Sequence, residues 1–386
     1  MVDASTLSKE EARKLELFKR RPTEEILTEE QLVKYIMEKQ QFRHYIGYEI
    51  SGYVHLGTGI VSSSKIADFQ EAGAKTTIFL ADLHAWINKK LGGDLDTIRK
   101  VAKGYFGEAM KASLRCVGGN VDDTSVVLAS ELYERLGEDY FETVIKIANS
   151  MTLARAMRSI TIMGRKQGES ISLSQLVYVP MQVADIFAQH VNIAHAGMDQ
   201  RKAHVVAIEV AGLFDYKPVA IHHHLLLSMQ LTDEDRKAML NAKQNRNTEQ
   251  LQDEYLDIKM SKSKPNTAIF VHDSEEEIRK KMGAAYCPAG ELEFNPVIDI
   301  VRNVVWPYLA KKGEPLVVEN KKKGTTDKFA KLDDLEKAFA SMQVHPADLK
   351  QAVAAYLIRI LEPARKYFEG PGKKYLEEME SIKITR

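Results

Sequence analysis

The sequence predicts an α/β protein: a doubly wound parallel sheet in roughly the first 225 residues, with a mainly α-helical domain behind it. Three observations carry this expectation. Short apolar β runs alternate with helical periodicity between residues 45 and 226, the pattern of strands joined by crossover helices. Glycine turns stand where strand gives way to helix. Beyond about residue 270 the strand signals fade and apolar residues recur at helical spacing.

In chain order, residues 1–40 are charged, with apolar positions at Leu15, Leu17, Phe18, Ile26, Leu27, Leu32, Val33 and Ile36, and read as a helical extension. Tyr45 to Glu49 reads as a strand, Ser51-Gly52 and His55-Leu56-Gly57 as a turn, and Ile60 to Ala72 as a helix ended by Gly73. A strand at Thr77 to Ala81, a helix from Asp94 to Cys116 with two interior glycines, and a strand at Thr124 to Ala129 follow. Glu131 to Arg165 is helical, and strands at Val191 to Gly197 and Val219 to Leu226 flank a helix near residues 200–211. The sum is a Rossmann-type domain over 41–225 with a helical insertion at about 118–166. Residues 226–270 hold an exposed polar insertion, 233–257, and a Lys/Ser-rich loop. A helical domain fills 271–386; in it Leu349, Val353, Leu357, Ile360 and Leu361 mark a helix that begins at Pro346 and ends near Pro363.

Composition narrows the classes. The 386 residues give room for two cores. Fifty-four basic residues balance 54 acidic ones, so any RNA contact must use local patches. Cys116 and Cys287 make neither a disulfide framework nor a zinc cluster. The N-terminal stretch lacks the apolar core of a signal peptide, and no run of about 18 apolar residues occurs, which predicts a cytoplasmic protein without a membrane partner.

Ser51-Gly52-Tyr53-Val54-His55-Leu56-Gly57-Thr58 has the chemistry of a phosphate site: glycines admit a close backbone approach, the helix N-terminus favours anions, and His55 supplies a donor. Alone, such a histidine is more often only a partner of its own turn. About 200 residues later comes Lys259-Met260-Ser261-Lys262-Ser263-Lys264-Pro265, whose ammonium groups suit a triphosphate and a leaving pyrophosphate. Tyr178, Gln182 and Asp185 stand at i, i+4 and i+7 among apolar neighbours, placing phenol, amide and carboxylate on one buried helix face.

HLGT and KMSKS, in this order and context, resemble the signatures of class I aminoacyl-tRNA synthetases. That resemblance implies that His55, Thr58, Lys259 and Lys262 stabilise adenylate formation, with Gly57, Asp199, Met260, Ser261 and Ser263 also at ATP. Thr58 stands where the family has a second histidine. With Tyr-Ile-Gly-Tyr-Glu at 45–49 and Gly-Met-Asp-Gln-Arg-Lys at 197–202, the polar helix face resembles the amino-acid site of tyrosyl-tRNA synthetases of the archaeal and eukaryotic type. The resemblance implies that Tyr45 and Asp185 bond the substrate phenol, that Tyr178, Gln182 and Gln200 hold its ammonium group, that Glu49 belongs to the same pocket, and that Asp199 meets the ATP ribose. It further implies L-tyrosine, ATP with Mg²⁺ and tRNA(Tyr) as substrates, no tightly bound metal, and no editing domain. A carboxylate left unpaired by phenylalanine discriminates by itself.

Asp82 and His84 follow a strand and fit pocket contact or support equally. His222-His223-His224 argues against a metal, because neighbours on a strand face opposite ways. Lys321-Lys322-Lys323 would meet RNA phosphate, and the resemblance puts His345 and Asp348 at the anticodon, although an aspartate there also fits a helix cap. Ile145, Ile147, Met151, Leu153, Met157 and Ile160 suggest a homodimer face, or equally core. The rivals are a tryptophanyl enzyme, a catalytically silent RNA-binding relative and a nucleotidyltransferase without tRNA.

Overall fold

The computed structural model describes residues 7–164, 170, 172–245, 258–260, 267–321 and 324–382. Its centre is a six-stranded sheet in the order β1-β6-β5-β2-β3-β4. The strands are β1 (Thr23–Leu27), β2 (Arg43–Glu49), β3 (Lys75–Ala81), β4 (Thr124–Leu128), β5 (Ile193–Gly197) and β6 (Val219–His223). All neighbours from β6 to β4 pair in parallel. After the edge strand β1 the chain enters the middle at β2, runs outward through β3 to β4, then returns to β5 on the other side of β2. The order therefore reverses between β2 and β5, the crevice where such sheets bind ligands.

The sequence expectation of an all-parallel sheet with a purely helical extension needs one correction. β1 lies inside residues 1–40 and pairs antiparallel with β6, with a bulge between Thr23 and Glu25. Its Thr-Glu-Glu-Ile-Leu sequence is only partly buried, as befits an edge strand, so it lacks the apolar run that announces an interior one. β5 and β6, by contrast, are buried at every position.

Three further differences come from packing. The helix expected over 94–116 is interrupted by a wide turn at Ala102–Phe106, centred on Gly104 (φ −90°, ψ −111°). There a Cβ would come to 3.3 Å from the Tyr375 ring. The polar stretch from 233 opens with a helix, Asp233–Gln244, started by a Thr232/Asp235 capping box and anchored by buried Met239 and Ala242; residues 246–257 lie outside the described ones. The C-terminal part contains an antiparallel hairpin, β7 (Leu316–Asn320) with β8 (Thr325–Phe329), and Lys321 and Gly324 belong to its turn.

The helix begun by Pro346 runs on to Glu369, straight through Pro363. Leu349, Val353, Leu357, Ile360 and Leu361 are all at most 1% exposed and belong to the same apolar cluster as Ile60 and Leu114 beside the sheet. One missing backbone donor is outweighed by so long a buried stripe.

Candidate active site

The Gly-rich turn after β2 is pinned from outside. His55 pairs with Phe270 across an isolated antiparallel bridge, Leu56 N donates to Ile269 O at 2.9 Å, and Val271 N donates to Val54 O at 3.0 Å. The helix opens as a wide turn, Gly57–Val61, a form that recurs at functional sites. Gly59 is obligatory there, since a Cβ would lie 2.6 Å from Ser113 Oγ and 2.8 Å from Val271 Cγ1. His55 Nδ1 accepts from Gly57 N at 3.1 Å and Thr58 N at 3.4 Å. In the neutral ring the proton therefore sits on Nε2, 3.2 Å from Thr58 Oγ1. His55 is thus a partner of its own turn, and it carries a donor and the Thr58 hydroxyl together at a helix N-terminus.

The basic arm reaches the same end of the sheet. Ser228 N donates to Ile258 O and Met260 N to Leu226 O, both at 2.7 Å, which anchors the strand-like segment holding Lys259. Met260 is buried. Lys259 Nζ stands 2.6 Å from Asp199 Oδ2. Burial would raise the Asp199 carboxyl, yet the lysine prevails and holds it below the usual carboxylate range. Ser261, Lys262 and Ser263 lie outside the described residues.

The helix Tyr178–Ala188 turns its polar face inward. Tyr178 OH donates to Glu49 Oε1 at 3.4 Å; Asn88 Nδ2 reaches the same oxygen at 2.8 Å, and Lys90 Nζ lies 3.5 Å from Oε2. Gln182 Nε2 donates to Gln200 Oε1 at 3.2 Å, and Gln200 Nε2 to Ile162 O at 3.1 Å. Gln182 Oε1 is buried without a hydrogen-bond partner among the described residues, an acceptor awaiting a donor. Asp185 Oδ1 accepts from Tyr133 OH at 2.7 Å and Tyr140 OH at 3.0 Å. Burial pushes its carboxyl up to about 7, against the pull of those two hydroxyls. Tyr45 is buried beside Phe79, ring centroids 5.4 Å apart, and burial together with the Asp185 charge drives its phenol well above the ordinary value.

Of the pair left open by sequence, Asp82 is structural: Oδ1 accepts from Ser130 N at 3.0 Å and Oδ2 from Arg99 Nε at 3.3 Å, fixing the start of the helix Ala129–Leu136. His84 instead sits at the pocket, its Nε2 3.8 Å from Asp185 Oδ2. The histidines of β6 link to different neighbours. His223 bonds His195 (2.8 Å), which bonds His44 (3.1 Å); His222 bonds His204 and Glu25, both at 3.0 Å. His224 lies between Glu24 and Asp299, whose charges overcome burial and push it up to about 10. Among the described residues no three His, Cys, Asp or Glu side chains are placed to share a metal ion. At the far end His345, not Asp348, caps its helix, accepting from Ala347 N at 3.2 Å, while Asp348 is 9% exposed in the first turn.

Tyr133, Tyr140, Asn88 and Lys90 went unread in the sequence. The two tyrosines lie in the segment expected to serve dimerisation, and only the fold brings them over Asp185.

A doubly wound sheet whose switch point carries a glycine turn, a lysine arm and a phenol-lined pocket defines a class I aminoacyl-tRNA synthetase. The family model for class I tRNA synthetases (W and Y) matches residues 37–362, and the chain belongs to that family, on its tyrosyl branch. It is 49% identical over 384 residues to the tyrosine–tRNA ligase of Thermococcus sibiricus, covering 97% of this chain and 99% of that protein. Pyrococcus furiosus tyrosine–tRNA ligase is 49% identical over 386 residues, with the same coverage. The crystal structure of Pyrococcus horikoshii tyrosyl-tRNA synthetase complexed with L-tyrosine superposes with a TM-score of 0.88 at 47% identity, covering 96% of this chain and all of that one. The tryptophanyl-tRNA synthetase of Aeropyrum pernix, at 15% identity and a TM-score of 0.63 over 94% of this chain and 86% of that one, shares the fold. Among the described residues no helix is long and apolar enough to cross a membrane.

Proposed function

We propose that the chain activates L-tyrosine with ATP to tyrosyl-adenylate and pyrophosphate, then transfers the tyrosyl group to the 3′ end of tRNA(Tyr). The observation that supports this best is the inward face of Tyr178, Gln182 and Asp185, which sets the buried acceptors Gln182 Oε1 and Asp185 among aromatic rings. Tyr45 and Asp185 take the phenol; Tyr178, Gln182 and Gln200 hold the ammonium group, with Glu49 behind Tyr178. The tyrosine carboxylate attacks the α-phosphorus, the bond to the bridging oxygen breaks, and its electron pair leaves on pyrophosphate. His55 and the Thr58 hydroxyl, beside Gly57, meet the phosphates, and Lys259 and Met260 join them, with Ser261, Lys262 and Ser263, outside the described residues, assigned to ATP by the same motif. Because Lys259 pairs with Asp199, ATP binding exchanges that pair: the ribose takes Asp199 and the phosphates take Lys259. Mg²⁺ bound with ATP would neutralise part of its phosphate charge, beside the cation that Lys259 supplies. In the second step a tRNA ribose hydroxyl attacks the carbonyl and AMP leaves.

On this reading the reaction runs in the cytoplasm, Asp348 and His345 read the anticodon, Asp348 its first base, a guanine, and two copies pair as a homodimer. The exposed apolar residues Trp86, Phe141, Ile145, Leu153 and Met157 support the pairing. Ile147 and Ile160, at 0% and 1% exposure, are core instead. The test is amino-acid-dependent ATP–pyrophosphate exchange with Tyr, Trp and Phe. Exchange with tyrosine alone is expected; exchange with tryptophan would move the chain to the other branch, and silence with all three would refute the reading.

A further inference from the structure

Asp185, the acceptor proposed for the substrate phenol, has neighbours that the established reaction does not use. Three helices converge on it: Ala129–Leu136 brings Tyr133, Glu138–Ala148 brings Tyr140, and Tyr178–Ala188 brings the carboxylate itself. The two tyrosine rings stack, with centroids 3.9 Å apart and an interplanar angle of 18°. Their hydroxyls therefore reach Asp185 Oδ1 as one rigid unit and spend the lone pairs of that oxygen.

Oδ2 faces His84 Nε2 at 3.8 Å, too far for a hydrogen bond. His84 is 2% exposed and stands edge-on to the Tyr178 ring at 4.7 Å; neither nitrogen makes a hydrogen bond of good geometry among the described residues, and its one backbone partner, at Tyr178, does not offset burial. A buried imidazole so weakly partnered is rare unless a ligand completes it. A single oxygen seated between Oδ2 and Nε2 can do so, donating its hydrogen to the carboxylate and accepting from the imidazole Nε2–H. Burial holds His84 down to about 4, so the ring is neutral near neutrality and carries a single N–H, which in the Nε2–H tautomer faces this oxygen. Phenol supplies that oxygen; benzyl does not.

We propose that Tyr133, Tyr140 and His84 are specificity-determining residues: the two tyrosines are positioning residues that turn Asp185 Oδ2 toward the substrate, and His84 donates to the phenol oxygen. The inference rests on the tyrosine reading above. If the tyrosines only satisfied a buried carboxylate, their loss would weaken activation of tyrosine and phenylalanine alike. In the proposed device it erodes the preference between them.

The experiment uses the full chain and pyrophosphate exchange with tyrosine and with phenylalanine, comparing Tyr133→Phe, Tyr140→Phe, His84→Leu and His84→Gln. The ratio of kcat/KM for tyrosine over phenylalanine is expected to fall about tenfold in the first three, chiefly through the tyrosine KM. His84→Gln, whose amide can donate, is expected to restore most of the ratio. The Tyr→Phe changes remove one hydroxyl each, so they read the device even where His84→Leu folds poorly. An unmoved ratio, or equal losses on both amino acids, overturns the inference while leaving the tyrosine reading intact. Absence of tyrosine-dependent exchange in the unaltered chain overturns that reading and this inference with it.

Discussion

Asp185 shows how one residue carries both a cost and a function. It is 1% exposed and its carboxyl is pushed up to about 7 by burial. Because the folded value lies above the unfolded one, near 4, folding takes up a proton in that window, and stability falls as pH rises from about 4 to 7. Asp185→Asn removes the charge while keeping an oxygen to accept from Tyr133 and Tyr140. The variant is expected to gain on the order of 1–3 kcal/mol at about pH 8 in denaturant unfolding. It is also expected to lose tyrosine activation by about 100-fold or more in pyrophosphate exchange, since a buried phenol then meets an amide in place of an anion. A variant less stable than the parent at that pH would refute the assignment of strain to this carboxyl.

The turn and helix after β2 form the proposed phosphate end, and their shape depends on a glycine that the motif alone does not explain. Gly59 lies under Ser113 and Val271, from the helix Gly107–Cys116 and the segment after the lysine arm. Gly59→Ala must displace one of these, at about 1–3 kcal/mol, and with it the His55–Phe270 bridge. A lowered Tm with a raised KM for ATP is the expected result; a raised KM for tyrosine with ATP unaffected would contradict the link. The same element illustrates a limit of sequence reading. The pattern after Tyr45 to Glu49 announces strand, turn and helix, but which groups pin the turn comes from residues 269–271, distant in the chain.

Across the whole molecule, buried imidazoles set the response to acid. Burial pushes His44 and His223 down to about 3 and His84 to about 4, and holds His195 well below its usual value. Each is neutral when folded and takes up a proton on unfolding below about pH 6.5, so stability falls as pH drops from there toward 3, by about 1.4 kcal/mol per pH unit per group. Calorimetry from about pH 7 down to 4 should show Tm falling steeply, and His195→Asn should flatten the slope. The exposed apolar face bears on assembly. Phe141, 64% exposed, is expected to contribute to the proposed dimer, and Phe141→Asp to yield a monomer by sedimentation with the fold intact by circular dichroism. A variant that still sediments as a dimer would move the interface elsewhere.

The sequence by itself determined the doubly wound sheet, the helix after the glycine turn and the inward polar face of Tyr178, Gln182 and Asp185. These are local: period, turn chemistry and spacing are written within a few residues of each other. It left unread β1 and the β7–β8 hairpin: β1 and β8 bury too little to show an apolar period, and the Leu-Val-Val run of β7, though buried at Leu316 and Val318, is too short to be told from helix by period alone. It also could not tell Asp82 from His84, core Ile147 from exposed Ile145, or see that Tyr133 and Tyr140 close over Asp185. Only the tertiary structure decided those, since burial and hydrogen-bond partners depend on which surfaces helices far apart in the chain bring together.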